Sequence, residues 1–137
     1  PDSTYTTPLA ANKENADRIG RGGEIFRVNC AMCHNAAGAG GALTRGKFAP
    51  SLKGVDPKHI YEAMETGPQS MPKFADSNLS PTDKQDVISY LNTIQTQTNV
   101  GGMTLGNLGP VSEGMFAWIF ALLIFIGAAV WLGQKAA

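Results

Sequence analysis

What the sequence has little of narrows it first. It contains two cysteines and two histidines in 137 residues. Small secreted domains stapled by disulfides spread more cysteines along the chain, so a disulfide scaffold is excluded. The 11 basic residues are matched by 11 acidic ones, which removes the positive excess that nucleic-acid binding uses, and no nucleic-acid partner is expected. Alternation of apolar and polar residues with period two is scarce, which argues for an all-α chain. An initiator Met and a charged-then-apolar leader are missing as well, and the chain opens on Pro1. The expectation is a processed or truncated N-terminus, with further sequence upstream.

Charge is balanced in total but not along the chain. From Arg18 to Lys58 the chain carries Arg18, Arg21, Arg27, Arg45, Lys47, Lys53 and Lys58 against only Glu24 and Asp56. Beyond them Glu62, Glu65, Asp76, Asp83, Asp86 and Glu113 face only Lys73, Lys84 and Lys135. Such a split either steers a charged partner or is simply solvated surface.

Five segments follow from composition and periodicity. Residues 1–14 are polar and read as a loose arm or linker. Residues 15–97 read as a compact helical domain. A first helix is predicted from Asp17 into Cys30, with Ile19, Gly22 or Gly23, Phe26 and Cys30 on one face. Its glycines are costly by propensity and imply close approach of another helix. A second opens at Asp56-Pro57 and stops at Gly67, burying Ile60 and Met64. A third opens at Ser80-Pro81-Thr82-Asp83 and carries a Val87, Leu91 and Ile94 stripe. The long irregular stretches between them, 35–55 and 67–79, do not suit an ordinary bundle but would suit chain wrapped around a large apolar group. Residues 98–114 are rich in Gly and Asn and read as a tether.

Residues 115–133 carry no charge and are almost wholly apolar. At about 1.5 Å per residue this stretch spans roughly 28 Å, close to the hydrocarbon thickness of a bilayer. Trp118 and Trp131 sit near its ends as interfacial aromatics do. A single transmembrane helix in contact with lipid is predicted. Lys135 after the span, with Glu113 before it, points to a cytoplasmic tail at 134–137 and puts the preceding domain outside the cytoplasmic membrane.

The chemistry concentrates in Cys30-Ala31-Met32-Cys33-His34. Two thiols three positions apart at the start of a helix can reach both vinyl groups of a porphyrin, and the next residue, His34, can present its imidazole to the iron. The pattern predicts one covalent haem c. A zinc site from Cys30, Cys33, His34 and His59 has the wrong spacing, and a thioredoxin-like pair lacks its strand–helix setting. For a sixth ligand, Met32 lies inside the attachment turn, Met103 and Met115 belong to tether and span, and Met64 suits a core position. Met71 precedes Pro72, which holds it extended on a loop and makes it the favoured ligand, with His59 second. His34 needs an acceptor for its other ring nitrogen, which the Pro50 carbonyl can supply. Arg45 and Lys47 are candidates to neutralise haem propionates. A His/Met pair saturates the iron and favours outer-sphere electron transfer over substrate binding.

These residues resemble class I cytochromes c. The likeness runs through Gly22 and Phe26, Cys30-x-x-Cys33-His34, Pro50-Ser51-Leu52, Met71-Pro72-x-Phe74 and Tyr90-Leu91. It implies a class I cytochrome c fold at 15–97, with Gly22 and Phe26 packed near Tyr90 and Leu91. The runs Ala37-Gly38-Ala39-Gly40-Gly41-Ala42-Leu43-Thr44-Arg45-Gly46-Lys47 and Leu108-Gly109-Pro110-Val111-Ser112-Glu113-Gly114, leading into one span, resemble the cytochrome cc subunits of actinobacterial cytochrome bcc complexes. Those subunits have two haem domains and an anchor, and this sequence has one Cys-x-x-Cys-His. The resemblance implies a first haem domain upstream, cytochrome b and Rieske iron-sulfur partners, and electron flow toward the copper subunit of an aa3-type oxidase. An independent membrane-tethered shuttle, an open-haem enzyme and a haem-free metal or thiol module are the alternatives.

Overall fold

The computed structural model describes residues 3–97, 103, 105 and 110–135. The chain divides into two units, Pro1–Gly102 and Met103–Ala137.

The first unit is organised by two helices, α2 (Ala16–Asn29) and α5 (Pro81–Thr96). A Cβ built on Gly22 would lie 1.9 Å from the backbone oxygen of Asp86, so no larger residue fits there. That close approach offsets a helical glycine's cost of roughly 1 kcal/mol. One turn on, Phe26 is fully buried, its ring 5.7 Å from that of Tyr90. Arg21 pairs with Asp83 at 2.7 Å across the same seam. Arg18 stands 2.6 Å from Asp86, near enough for an ion pair though not aligned as a hydrogen bond. The basic-then-acidic split of the sequence is therefore partly spent on pairing inside the fold.

The remaining helices are α1 (Ser3–Thr6), α3 (Ala31–His34) and α4 (Pro57–Thr66). The Asp56 carboxylate accepts from the Lys58 amide at 2.8 Å, with Pro57 in the first turn, where its missing N–H costs nothing. Gly67 ends α4 in the left-handed region at φ 62°. At the head of α5, Ser80 and Asp83 satisfy each other's amides in a capping box. Ile60, Tyr61, Met64, Leu79, Val87, Ile88 and Leu91 join Phe26 and Cys30 in one core.

Two features depart from the sequence reading. Within 35–55, β1 (Gly41–Ala42) pairs antiparallel with β2 (Phe48–Ala49) in the register Gly41 to Ala49, around a tight turn at Thr44–Gly46. Strands of two residues are too short to show a period, and the unit remains helical. The arm expected to be loose at 1–14 is fastened over residues 4–9. The Gln85 side-chain amide donates to the carbonyls of Thr4 and Thr7 at 2.8 and 3.0 Å, and the Leu9 amide donates to Ser89 at 2.9 Å. Tyr5 packs against the core. The arm is held by buried polar side chains of α5, to which a hydrophobic pattern is blind.

The second unit is α6 (Pro110–Lys135), 26 residues and so about 39 Å long. The predicted span 115–133 lies inside it, and residues 110–114, read as tether, are helical. The rest of the tether except 103 and 105, and the tail residues 136 and 137, lie outside the described residues. None of α6 is buried, and it is apolar on every side from 115 to 133. A helix of that length and composition without protein to cover it has the properties of a membrane anchor. Lys135 lies over the Trp131 ring at 4.4 Å, joining a cation to an interfacial aromatic at one end.

Candidate haem site

Cys30 stands where α2 ends and α3 begins. Its amide closes the last turn of α2 on Phe26 at 2.9 Å, and its carbonyl accepts from His34 at 2.9 Å. This junction brings Cys30, Cys33 and His34 onto the wall of one cavity of ≈ 420 Å³. Asn35, at φ 68° and ψ 163°, turns the chain sharply behind the histidine, in a backbone region that favours glycine. The two cysteines are not joined in a disulfide. Burial, and then the neighbouring Cys33, push the Cys30 thiol up to about 11. A thiol pushed up by burial lacks the depressed value that an attacking oxidoreductase thiol needs. Among the described residues no group of three or more His, Cys, Asp or Glu converges to hold a metal ion.

His34 is buried, and its Nδ1 lies 2.9 Å from the Pro50 carbonyl. A carbonyl only accepts, so Nδ1 carries the proton and Nε2 keeps its lone pair for a metal. Pro50 follows β2 directly, so the hairpin fixes the height of that carbonyl.

The cavity draws on nearly every element of the unit. Phe26 of α2, Ile60 and Met64 of α4, Phe74 of the following segment and Val87 and Leu91 of α5 give it apolar walls. The residues present fit a porphyrin: an apolar slot of ligand-pocket size, two thiols, and an imidazole with its metal-binding nitrogen free.

Met71 and Lys47 line the cavity, whereas Arg45 does not. Arg45 sits on the adjoining turn, exposed, at φ 60°. The Lys47 ammonium donates to Ser70 at 2.6 Å, joining the hairpin to the segment that carries Met71. Met64 and His59 also reach the cavity, Met64 from the core at 2 % exposure and His59 from an exposed position. Met32 is 83 % exposed and lies outside the lining.

One charged residue escaped the sequence reading. Lys84 of α5 is fully buried, with its ammonium bonded to Glu65 and to Asp76. Its signal was available: Lys84 continues the Val87, Leu91 and Ile94 stripe one step toward the N-terminus, where a lysine on the apolar face demands a partner.

Residues 17–91 match the family described as cytochrome c oxidase, cbb3-type, subunit III. The chain belongs to this family of c-type cytochrome domains. Its cofactor is covalent haem c, and Cys30 and Cys33 fit the attachment motif. The domain is 34 % identical over 95 residues to a Synechocystis protein named cytochrome c-553-like, covering 66 % of this chain and 79 % of that protein. Other matches are longer than that domain. Proteins named cytochrome bc1 complex cytochrome c subunit are 49 % identical over 117 residues in Corynebacterium efficiens and 50 % over 118 in Mycobacterium leprae. These matches cover 85 % and 86 % of this chain but 40 % and 41 % of the relatives, so the matched part spans about two-fifths of those proteins.

Proposed function

We propose that this chain relays single electrons through one haem in a quinol-oxidising respiratory complex of the bcc type, held at the membrane by α6. The observation that carries the reading is the apolar cavity with Cys30, Cys33, His34 and Met71 on its wall. Cys30 and Cys33 would carry the thioether links, and His34, through Nε2, and Met71 would ligate the iron. The Pro50 carbonyl holds the imidazole in its tautomer, and Lys47, with Arg45 beside it, offsets the propionate charge. Bound haem supplies a one-electron couple, and His/Met ligation places its potential above that of a bis-histidine site. The chain's own part is to exclude water with the Phe26, Val87 and Leu91 wall and to keep two ligands in place through the redox change.

Relatives matched over 85 % or more of this chain bear the name of a bc1 complex subunit, which supports assembly with other subunits of such a complex. Cytochrome b and a Rieske protein are the expected neighbours, with electrons arriving from the Rieske side through a first haem domain and leaving toward the copper subunit of an aa3-type oxidase. Lys135 at the end of α6 favours a cytoplasmic C-terminus and a haem domain on the outer face.

Alkaline pyridine on the denatured chain must give a haem c spectrum, and its absence would sink the reading. Met71→His lowers the potential by a sizeable part of the ≈ 0.8 V range that axial ligands cover, whereas Met64→Leu leaves it near wild type. A larger shift from the Met64 change would move the ligand assignment to that residue. The likeness to cytochrome c-553-like, which a single domain mostly covers, favours a second reading as a free-standing tethered shuttle. Co-purification with a cytochrome b and a Rieske protein in mild detergent supports the complex. A chain isolated alone and still exchanging electrons with a soluble acceptor supports the shuttle.

A further inference from the structure

Lys84 has no part in the haem chemistry described so far, and its placement is expensive. A lysine removed from water costs several kcal/mol unless it is paired, and hydrophobic packing at the same place is commonly as stable. Its side chain is fully buried on α5, bonded to Glu65 of α4 and, at 2.7 Å, to Asp76. The Tyr61 ring centre lies 5.6 Å from the ammonium. Asp76 belongs to residues 67–80, the segment that carries Met71.

That segment has few holds on the rest of the domain. The Phe74 amide donates to the Met64 carbonyl at 2.9 Å, and Lys47 reaches Ser70 at 2.6 Å. At its start the chain folds back so tightly that a Cβ on Gly67 would lie 2.9 Å from the Met71 carbonyl oxygen. The path of residues 67–74 is thus set at one end by α4. Beyond Phe74 the segment is held on its way back to α5 by the ionic tie from Asp76 to Lys84 and by Leu79 in the core.

We propose that Lys84 is a positioning residue for the distal ligand: through Glu65 and Asp76 it locks α4, the Met71 segment and α5 together and keeps that segment closed over the cavity. The inference rests on the reading of Met71 as the iron ligand. It assigns the buried charge to geometry, because a tie shared by two carboxylates resists sliding of either element, which an apolar contact at this point would allow.

Imidazole binding to the ferric holoprotein tests it, because imidazole competes with the methionine for the sixth position. Asp76→Asn removes an exposed carboxylate, leaves Lys84 paired with Glu65, and should raise imidazole affinity about two- to fivefold. Lys84→Met should raise it about tenfold, since the buried cation held both carboxylates. Asp76→Glu should stay near wild type. Arg21→Ala, which breaks a pair at the α2–α5 seam, should lower stability without changing the affinity. Wild-type affinity in both Asp76→Asn and Lys84→Met overturns the proposal, as does an equal rise in Arg21→Ala. Met71→Ala reads the ligand by itself. If it binds imidazole no tighter than wild type, the Met71 reading falls and this inference with it. If it binds far tighter while neither Asp76→Asn nor Lys84→Met does, the inference alone falls.

Discussion

The seam between α2 and α5 and the loops that face the cavity are stabilised in different ways. At the seam the polypeptide supplies both partners of every contact: Gly22 against the Asp86 backbone, Phe26 against Tyr90, Arg21 against Asp83. Around the cavity it supplies one side only. Segments 35–55 and 67–79 turn apolar side chains such as Leu52, Val55 and Phe74 toward a space of ≈ 420 Å³. Cofactor binding to the folded chain alone adds to stability by mass action, and a covalent link makes that addition permanent. A domain this small, without disulfides, can therefore leave a large space in its core so long as a haem occupies it.

The comparison predicts its own largest effect. Replacing Cys30 and Cys33 by Ala prevents covalent attachment, and the full chain should then lose cooperative unfolding of the cytochrome domain while α6 keeps its helicity in detergent. Circular dichroism across a thermal ramp checks this. A sharp transition without haem would show that the cavity side is as complete as the seam. Next in size is Gly22→Val. The added side chain meets backbone rather than a yielding side chain, so overpacking should cost about 3 kcal/mol in denaturant unfolding, at or above the usual upper range for such changes. Its reduction potential should stay near wild type, because no haem ligand lies on that seam.

How much of each region could be read beforehand follows the same division. Helix ends were legible because their signals are local: Asp56-Pro57, Gly67 and the Ser80 to Asp83 box each act within one turn. Gly22 and Gly23 of α2 were legible as a packing statement, whereas a Cβ on Gly20 would meet open space. Cys30 to His34 was legible because attachment chemistry fixes its spacing. The fastening of residues 4–9 was not, because its partners Gln85 and Ser89 lie about eighty residues away and are polar. Lys84 was missed for a related reason: charge was counted along the chain, where a buried lysine paired with Glu65 and Asp76 looks like solvated surface. Met71, Met64 and His59 all reach the cavity, so the choice of ligand rests on the loop position of Met71 before Pro72.

Two carboxylates at the seam sharpen the picture with opposite pH trends. Burial disfavours the charged form of Asp83, but hydrogen bonds from Ser80 and Arg21 outweigh it and hold that carboxyl below its ordinary range. Its contribution is present above the unfolded value of about 3.9 and is lost as the pH falls through the folded value. Asp83→Asn should therefore cost about 1 kcal/mol near neutrality, chiefly the cap, and the difference should close in acid. Burial pushes the Asp86 carboxyl up, against the pull of Arg18. Wild type accordingly loses stability from this group as the pH rises through the carboxylate range, and Asp86→Asn should gain relative to it over that interval. Urea titrations of the ferric holoprotein across that range, with each variant compared to wild type, read both slopes. Parallel slopes would mean that the seam treats its two acids alike.

The smallest effect is expected on α4, from a pair that belongs to neither region. Lys58 and Glu62 lie 3.8 Å apart, one turn from each other, with side chains 60 % and 42 % exposed. Solvent screens such a pair, and a lysine four residues ahead of a glutamate is the weaker orientation on a helix. Lys58 also stands in the first turn of α4, where the helix dipole disfavours a cation. The attraction to Glu62 and the repulsion at the helix end are each a few tenths of a kcal/mol and oppose one another. Lys58→Ala should consequently shift unfolding stability by less than about 0.5 kcal/mol, in either direction, and the shift should shrink further in high salt. A loss above about 1 kcal/mol, beyond what exposed pairs contribute, would mean that α4 depends on surface charge to hold its place beside the cavity. The division between a self-sufficient seam and a cofactor-dependent side would then have to be redrawn.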